Sequence, residues 1–241
     1  MTTQDVDDVL MGSRVVRWTI AGVVAVSLFI SSVVNIRQSD QLATLTEELA
    51  AVRQQAAATQ AAVKVDQQYL AVVDVLVAKA SDHLTLQQIP EIASMVVELA
   101  TLYRADGLTS SLVLAVMERE SNFRPDAVSG RGAVGIMQVI HETAEPHLVA
   151  LGETWSVELM QRPDVNIGVG VMELMRLHRI YMAEGLEGRD EWHLTLTSYF
   201  WGPTNTRRLL ESKGEKIRVP SLEYSVGVRG LQNDIRNRGV E

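Results

Sequence analysis

The sequence predicts a mostly α protein, and three observations carry that prediction. Apolar residues make up 46% of the 241 residues but aromatics only 5%, so the hydrophobic content is chiefly Ala, Val and Leu, a mix that suits packed helices. Residues 37–80 contain neither Pro nor Gly, the two residues that most often interrupt a helix. From residue 88 onward, apolar positions recur at three- and four-residue spacing. No convincing strand alternation appears, apart from room for short strands in the 124–137 loop.

Residues 1–17 are polar, with Asp5, Asp7 and Asp8 early and Arg14 and Arg17 late. Trp18 to Ile36 carries no charge across 19 residues. As a helix it would extend about 28 Å at ~1.5 Å per residue, close to the ~30 Å hydrocarbon core of a bilayer. Trp18 suits an interfacial anchor. The run is read as a transmembrane helix rather than a cleaved leader, because the preceding tail is long and partly acidic and no small-residue cleavage site follows. Two arginines precede the span and Arg37 follows it, which predicts a cytoplasmic N-terminus.

Residues 37–80 fit a heptad frame: Leu42, Leu45, Leu49, Val52, Ala56, Thr59, Val63, Asp66, Leu70, Val73, Val77 and Ala80. Ten of these twelve are apolar, so a stalk over 37–82, able to dimerise as a coiled coil, is expected. Fully helical, residues 37–80 would reach about 66 Å at ~1.5 Å per residue. A joint follows over 81–90. Pro90 suits the first turn of a helix running to Tyr103 or Arg104, with Ile92, Val96, Leu99 and Leu102 inward. Thr109 or Ser110 caps the next helix. Asn166 is a candidate cap for a helix to Ala183, Asp190 for one ending before Gly202-Pro203, and Pro220-Ser221 opens the last. The expected organisation is a short cytoplasmic tail (1–17), a membrane span (18–36), a stalk (37–82) and a C-terminal domain (88–241).

Charge and composition exclude several classes. A net charge of −8 speaks against a nucleic-acid partner. With no Cys there is no disulfide, thiolate nucleophile or lipoprotein acylation site. The five His residues show no metal-binding pairing, so neither a metal nor another cofactor is expected.

The chemistry concentrates in residues 112–138. Val113, Val116, Met117 and Glu120 fall on one helical face, so a carboxylate sits on an apolar stripe. Asn122, Phe123 and Pro125 end the helix, which leaves Glu120 in its last turn near the negative end of the dipole. Burial and the dipole both favour the protonated form, and a carboxyl kept neutral near pH 7 can serve as a general acid. Glycoside cleavage usually needs a second carboxylate. Glu118, at i−2, does not share the face of Glu120, and Asp126, Glu142 and Glu145 have nothing to single them out.

Glu120-Ser121, followed by Phe123, Pro125, Ala127 and Ser129 and then GAVGIMQ at 132–138, resembles the signature of the soluble lytic transglycosylase family. Asp164-Val165-Asn166-Ile167 and Ser198-Tyr199-Phe200-Trp201-Gly202-Pro203 are similar to that family's later blocks. The resemblance covers roughly residues 90–235. It implies a goose-type, lysozyme-like catalytic domain that cleaves peptidoglycan glycan strands and says nothing about 1–85. The uncharged 18–36 run separately makes the bilayer a second expected partner and places the domain outside the cytoplasm. The membrane would be a bacterial inner membrane, or a virion membrane in a phage-encoded protein.

In that scheme Glu120 is the catalytic residue. It protonates the oxygen between N-acetylmuramic acid and N-acetylglucosamine, then takes a proton from the muramic C6 hydroxyl to close a 1,6-anhydro ring. Carried over by position, Ser129, Gln138, Tyr199, Tyr224, Ser121 and Met137 are expected at the substrate, with Met137 and Ile140 as apolar floor and Ser121 equally suited to a structural role at the helix end. Two positions depart from the family: Phe200 stands where Asn is usual, and His141 where Pro is frequent. A goose-type lysozyme hydrolysing the same bond, and a non-catalytic peptidoglycan-binding component of a secretion or virion-entry machine, are the alternative readings.

Overall fold

The structure, a computed structural model, describes residues 46–47, 49–60, 62–183, 191–211 and 220–241. The expected cytoplasmic tail, the 18–36 span, the first part of the stalk and the Asp190 cap lie outside the described residues. Among the described residues no helix is long and apolar enough to cross a membrane. The chain divides into two units, Met1–Ala62 and Val63–Glu241. In the first, residues 46–47 and 49–60 are helical and exposed.

The second unit is built from helices. In chain order they are α1 (63–80), α2 (Gln88–Leu102), α3 (Ser110–Ser121), α4 (His141–Ala150), α5 (Val157–Met160), α6 (Pro163–Ala183), α7 (Glu191–Trp201), α8 (Pro203–Glu211) and α9 (Pro220–Asn237). A 3₁₀ turn, Arg104–Asp106, joins α2 to α3. The β content of the described residues is two isolated antiparallel bridges, Val128 with Val134 and Val134 with Val139. The room left for short strands in the 124–137 loop is thus taken by single bridges.

Helix α3 is the centre of the packing. Thr109 caps it, its hydroxyl accepting from the Leu112 N–H at 3.2 Å. Every residue from Ser110 to Met117 is buried. The sequence suggested one apolar stripe, but α3 is enclosed on all sides, as a core helix is, and only its last turn reaches a surface. Its main partner is α9, which in turn packs on α7. At the C-terminal end Asn122 adopts the left-handed conformation (φ 53°). The Asn122 N–H bonds the Glu118 carbonyl at 2.9 Å and the Phe123 N–H bonds the Met117 carbonyl at 3.3 Å, a Schellman-type closure. Phe123 also has positive φ (61°). That conformation is costly for a bulky residue, and complete burial of its ring holds it there.

The heptad reading changes within α1. Val72, Val75, Leu76 and Ala80 are fully buried in the core, whereas Leu70 and Val77 are exposed. Of the heptad positions here Ala80 is buried and Val73 packs on the core, but the inward face is carried chiefly by Val72, Val75 and Leu76, which the heptad does not mark. Lys79 fastens this helix to the interior, reaching Glu118 at 2.8 Å and Asp234 at 3.2 Å.

Asn166 is not a helix cap. Helix α6 begins three residues earlier, at Pro163, where proline's missing N–H costs nothing. Asn166 is completely buried and bridges three segments. Its Oδ1 accepts from the Met137 N–H at 2.7 Å, and its Nδ2 donates to the carbonyls of Val134 at 2.9 Å and Met160 at 2.8 Å. Gly135 exists for this side chain: it has φ +85°, and a Cβ there would stand 2.3 Å from Asn166 Nδ2 and 2.4 Å from the Met160 carbonyl. The close approach that glycine permits is thus made to the protein's own α6.

Candidate active site

The last turn of α3, the 129–140 loop, α6 and the end of α7 enclose a cavity of ≈ 420 Å³ lined by Glu120, Ser129, Gln138, Ile140, Tyr199 and Phe200, among others. Glu120 is the residue of α3 that opens onto it. The enclosing helices withdraw its carboxyl from water, and this burial pushes its pKa up from 4.5 to about 7. A hydrogen bond from the Tyr224 hydroxyl to Oε1 at 2.5 Å and the nearby Arg119 guanidinium oppose that rise. Burial, the cause named from the sequence, is the largest influence on this carboxyl. It leaves both protonation states populated near neutrality, which suits a group that must first give a proton and then take one.

Two tyrosines stand by the acid, from different helices. Tyr224, on α9, is buried and makes the bond just described. Tyr199, on α7, is partly buried and donates to the Met137 carbonyl at 2.9 Å. Burial raises both phenols well above 10, and the Glu120 carboxylate adds to the effect. They stay protonated and act as hydrogen-bond donors, not bases.

The remaining positions separate into those on the cavity wall and those behind it. The Ser129 hydroxyl oxygen accepts from the N–H groups of Ala133 at 3.0 Å and Arg131 at 3.3 Å, which pins the loop and leaves its own hydrogen to be donated. Gln138, at φ 50°, commits both amide hydrogens to the carbonyls of Ala127 at 3.1 Å and Gly135 at 2.9 Å. Only its Oε1 remains for a ligand. Ser121 and Met137 were expected at the substrate, but both lie beneath the cavity. Ser121 is buried and donates to the Ile136 carbonyl at 2.7 Å. Met137 is fully enclosed, and its side chain rests on Gly170 so closely that a Cβ there would meet Sδ at 2.6 Å. They shape the floor from below.

Sequence reasoning missed a second carboxylate on the wall, Glu173 of α6. It is buried, but not free. Arg176 grips it with two bonds of 2.7 Å, and His147 Nε2 lies 3.1 Å from Oε2. A carboxylate held in a guanidinium fork is a poor nucleophile or base. Like Glu120 it lies among apolar residues, but Arg176 three positions on makes it read in sequence as an ordinary ion pair. Phe200, where the family pattern has an amide, stacks on Tyr224 with ring centres 4.8 Å apart and planes at 17°, and remains 47% exposed.

The chain is similar to known proteins over this region. Residues 101–219 match the family described as the transglycosylase SLT domain. The chain is 32% identical over 109 residues to the membrane-bound lytic murein transglycosylase C of Serratia proteamaculans, a match covering 44% of this chain and 30% of that protein. The Yersinia enterocolitica protein of the same name is 33% identical over 117 residues, covering 47% and 33%. The chain thus spans about a third of the length of the curated relatives it matches. Among solved structures, the 70 kDa soluble lytic transglycosylase of Escherichia coli aligns with a TM-score of 0.47 at 21% identity, over 58% of this chain and 24% of that one. The lytic transglycosylase Slt of Pseudomonas aeruginosa aligns at 0.40 and 26%, over 58% and 22%.

Proposed function

We propose, from the premise that the chain belongs through residues 101–219 to the transglycosylase SLT domain family, that it is a peptidoglycan lytic transglycosylase. The observation that carries this reading is Glu120, poised near neutrality in the cavity with Tyr224 bonded to it. Glu120 gives its proton to the glycosidic oxygen as the bond to the muramic acid breaks. The substrate's own acetamido group stabilises the resulting cation. The carboxylate then removes the proton of the muramic C6 hydroxyl, whose oxygen closes the 1,6-anhydro ring, and Glu120 is restored to its acid form. No water is consumed. Ser129, Gln138 and Tyr199 contact the glycan from the wall, and Ser121 and Met137 hold the floor in place.

Fixation of Glu173 by Arg176 favours this scheme over a two-carboxylate hydrolysis, because the second acid on the wall is already occupied. The non-catalytic reading has no use for a carboxyl withdrawn from water at the wall of the cavity. The relatives are named membrane-bound, which supports a membrane-associated enzyme. The uncharged 18–36 run is the proposed anchor, with the catalytic domain outside the cytoplasm and any self-association confined to the stalk before residue 63. Mass spectrometry of soluble products from purified sacculi tests the reaction. Anhydromuramyl ends are expected, and reducing muramic ends, one water heavier, would show hydrolysis instead. For the anchor, the full chain should stay with membranes through a high-salt wash and leave only in detergent.

A further inference from the structure

The family pattern leaves Phe200 unexplained, because it removes an amide from a site that handles a polar sugar. Its surroundings give it a different task. One side of the ring is covered by the near-parallel Tyr224 ring at 4.8 Å, which fixes its orientation, while nearly half of the side chain is exposed on the wall of the cavity that contains Glu120. A flat apolar surface fixed in this way, facing a cleft otherwise supplied with hydroxyl, amide and carboxyl groups, matches a pyranose, which has polar edges and apolar C–H faces.

We propose that Phe200 is a specificity-determining residue of the cleft, the platform against which the C–H face of one N-acetylhexosamine ring lies beside Glu120. This rests on the reading that the cavity takes a glycan. The contact replaces a directional hydrogen bond with a stacking one, so the ring is positioned by its face and not by a single substituent. Phe200 thereby selects for a ring face of axial C–H bonds free of axial substituents more strongly than for any one hydroxyl.

The test uses the full chain carrying Glu120→Gln, so that no turnover occurs, and tetra-N-acetylchitotetraose as the probe. Calorimetry compares it with versions that also carry Phe200→Trp, Phe200→Tyr, Phe200→Leu or Phe200→Asn. The aromatic replacements should keep affinity within about twofold, and Leu and Asn should lose on the order of tenfold. Proton NMR should show upfield ring-current shifts on the C–H face of one bound sugar with Phe, and none with Leu, a readout that a merely structural role would not move. Equal affinity for Phe200→Leu without such shifts, tighter binding by Phe200→Asn, or loss of binding with both aromatic replacements would each overturn the proposal. Product analysis of the native chain separates the two readings. Cleavage with no dependence of binding on residue 200 sinks the platform alone, and ring-dependent binding without cleavage sinks the reaction alone.

Discussion

Tyr224 on α9 donates to Glu120 on α3 at 2.5 Å, joining residues 104 positions apart. The bond stabilises the carboxylate against the burial that favours the acid. Tyr224→Phe removes it while keeping the ring that stacks on Phe200. The pKa of Glu120 should then move above about 7, and the alkaline limb of the pH–rate profile should shift upward with it. The rate at pH 7 should fall on the order of tenfold. A profile superimposable on that of the native chain would show that the bond plays no part in catalysis.

Glu120→Gln keeps the shape of the side chain and its ability to accept from Tyr224, but has no proton to transfer. Clearance of sacculi should drop ~10²–10⁴-fold or more, with glycan binding retained. Clearance at the native rate would require another acid.

The same substitution has a stability signature. The folded-state pKa of Glu120 is raised from 4.5 to about 7, so the folded form holds its proton more tightly than the unfolded chain does. The stability this provides is full below pH 4.5 and is lost as pH rises to 7. Glutamine lacks that dependence. Melting temperatures of the two proteins should therefore coincide near pH 4, while at pH 8 the Gln protein should be the more stable, by up to roughly 3 kcal/mol. Parallel melting curves across the range would contradict the burial of a titrating carboxyl.

Glu118 is the control for catalysis. It faces Lys79 at 2.8 Å, away from the cavity, and its Oε2 is buried without a partner. Glu118→Gln should leave product formation within about twofold while lowering stability by about 1–2 kcal/mol, since it breaks a partly buried ion pair. A large activity loss without destabilisation would overturn this division.

Asn166→Ala would orphan one N–H and two carbonyls at once. A destabilisation of about 3 kcal/mol or more is expected in urea titrations, and activity should fall with it because the Gln138 turn loses its anchor. Asn166→Asp keeps the acceptor but not the two donors, and should be intermediate.

Sequence alone made the local features legible. The spacing of Val113, Val116, Met117 and Glu120 exposed an acid among apolar residues, and Thr109 announced where its helix starts. Pairings across the chain were not readable. Nothing local distinguishes Asn166 as a three-way bridge from Asn166 as a cap, because both roles suit a polar residue beside a helix start. Ser121 and Met137 sit in the motif as prominently as Ser129, and only the folded loop places them behind the wall. Glu173 was hidden by its own neighbour, since an acid three residues before Arg176 reads as an ordinary surface pair. Helix α4 contains Pro146 and has little apolar periodicity, so its pattern gave no signal.

The Asn166 bridge also bears on when the cavity comes into being. The Met137 N–H is bonded to a side chain 29 residues away, so the Gly135–Gln138 turn gains its partner only after α6 has docked. Local helices form early and long-range contacts late. A refolding chain should thus regain most of its helicity before it regains a floor for the cleft. In the native state, exchange of the Met137 amide hydrogen should then report global opening, while the 129–133 tip, closed by short-range bonds, exchanges through local fluctuation. The cleft is in this sense a late assembly, as durable as the whole fold once made.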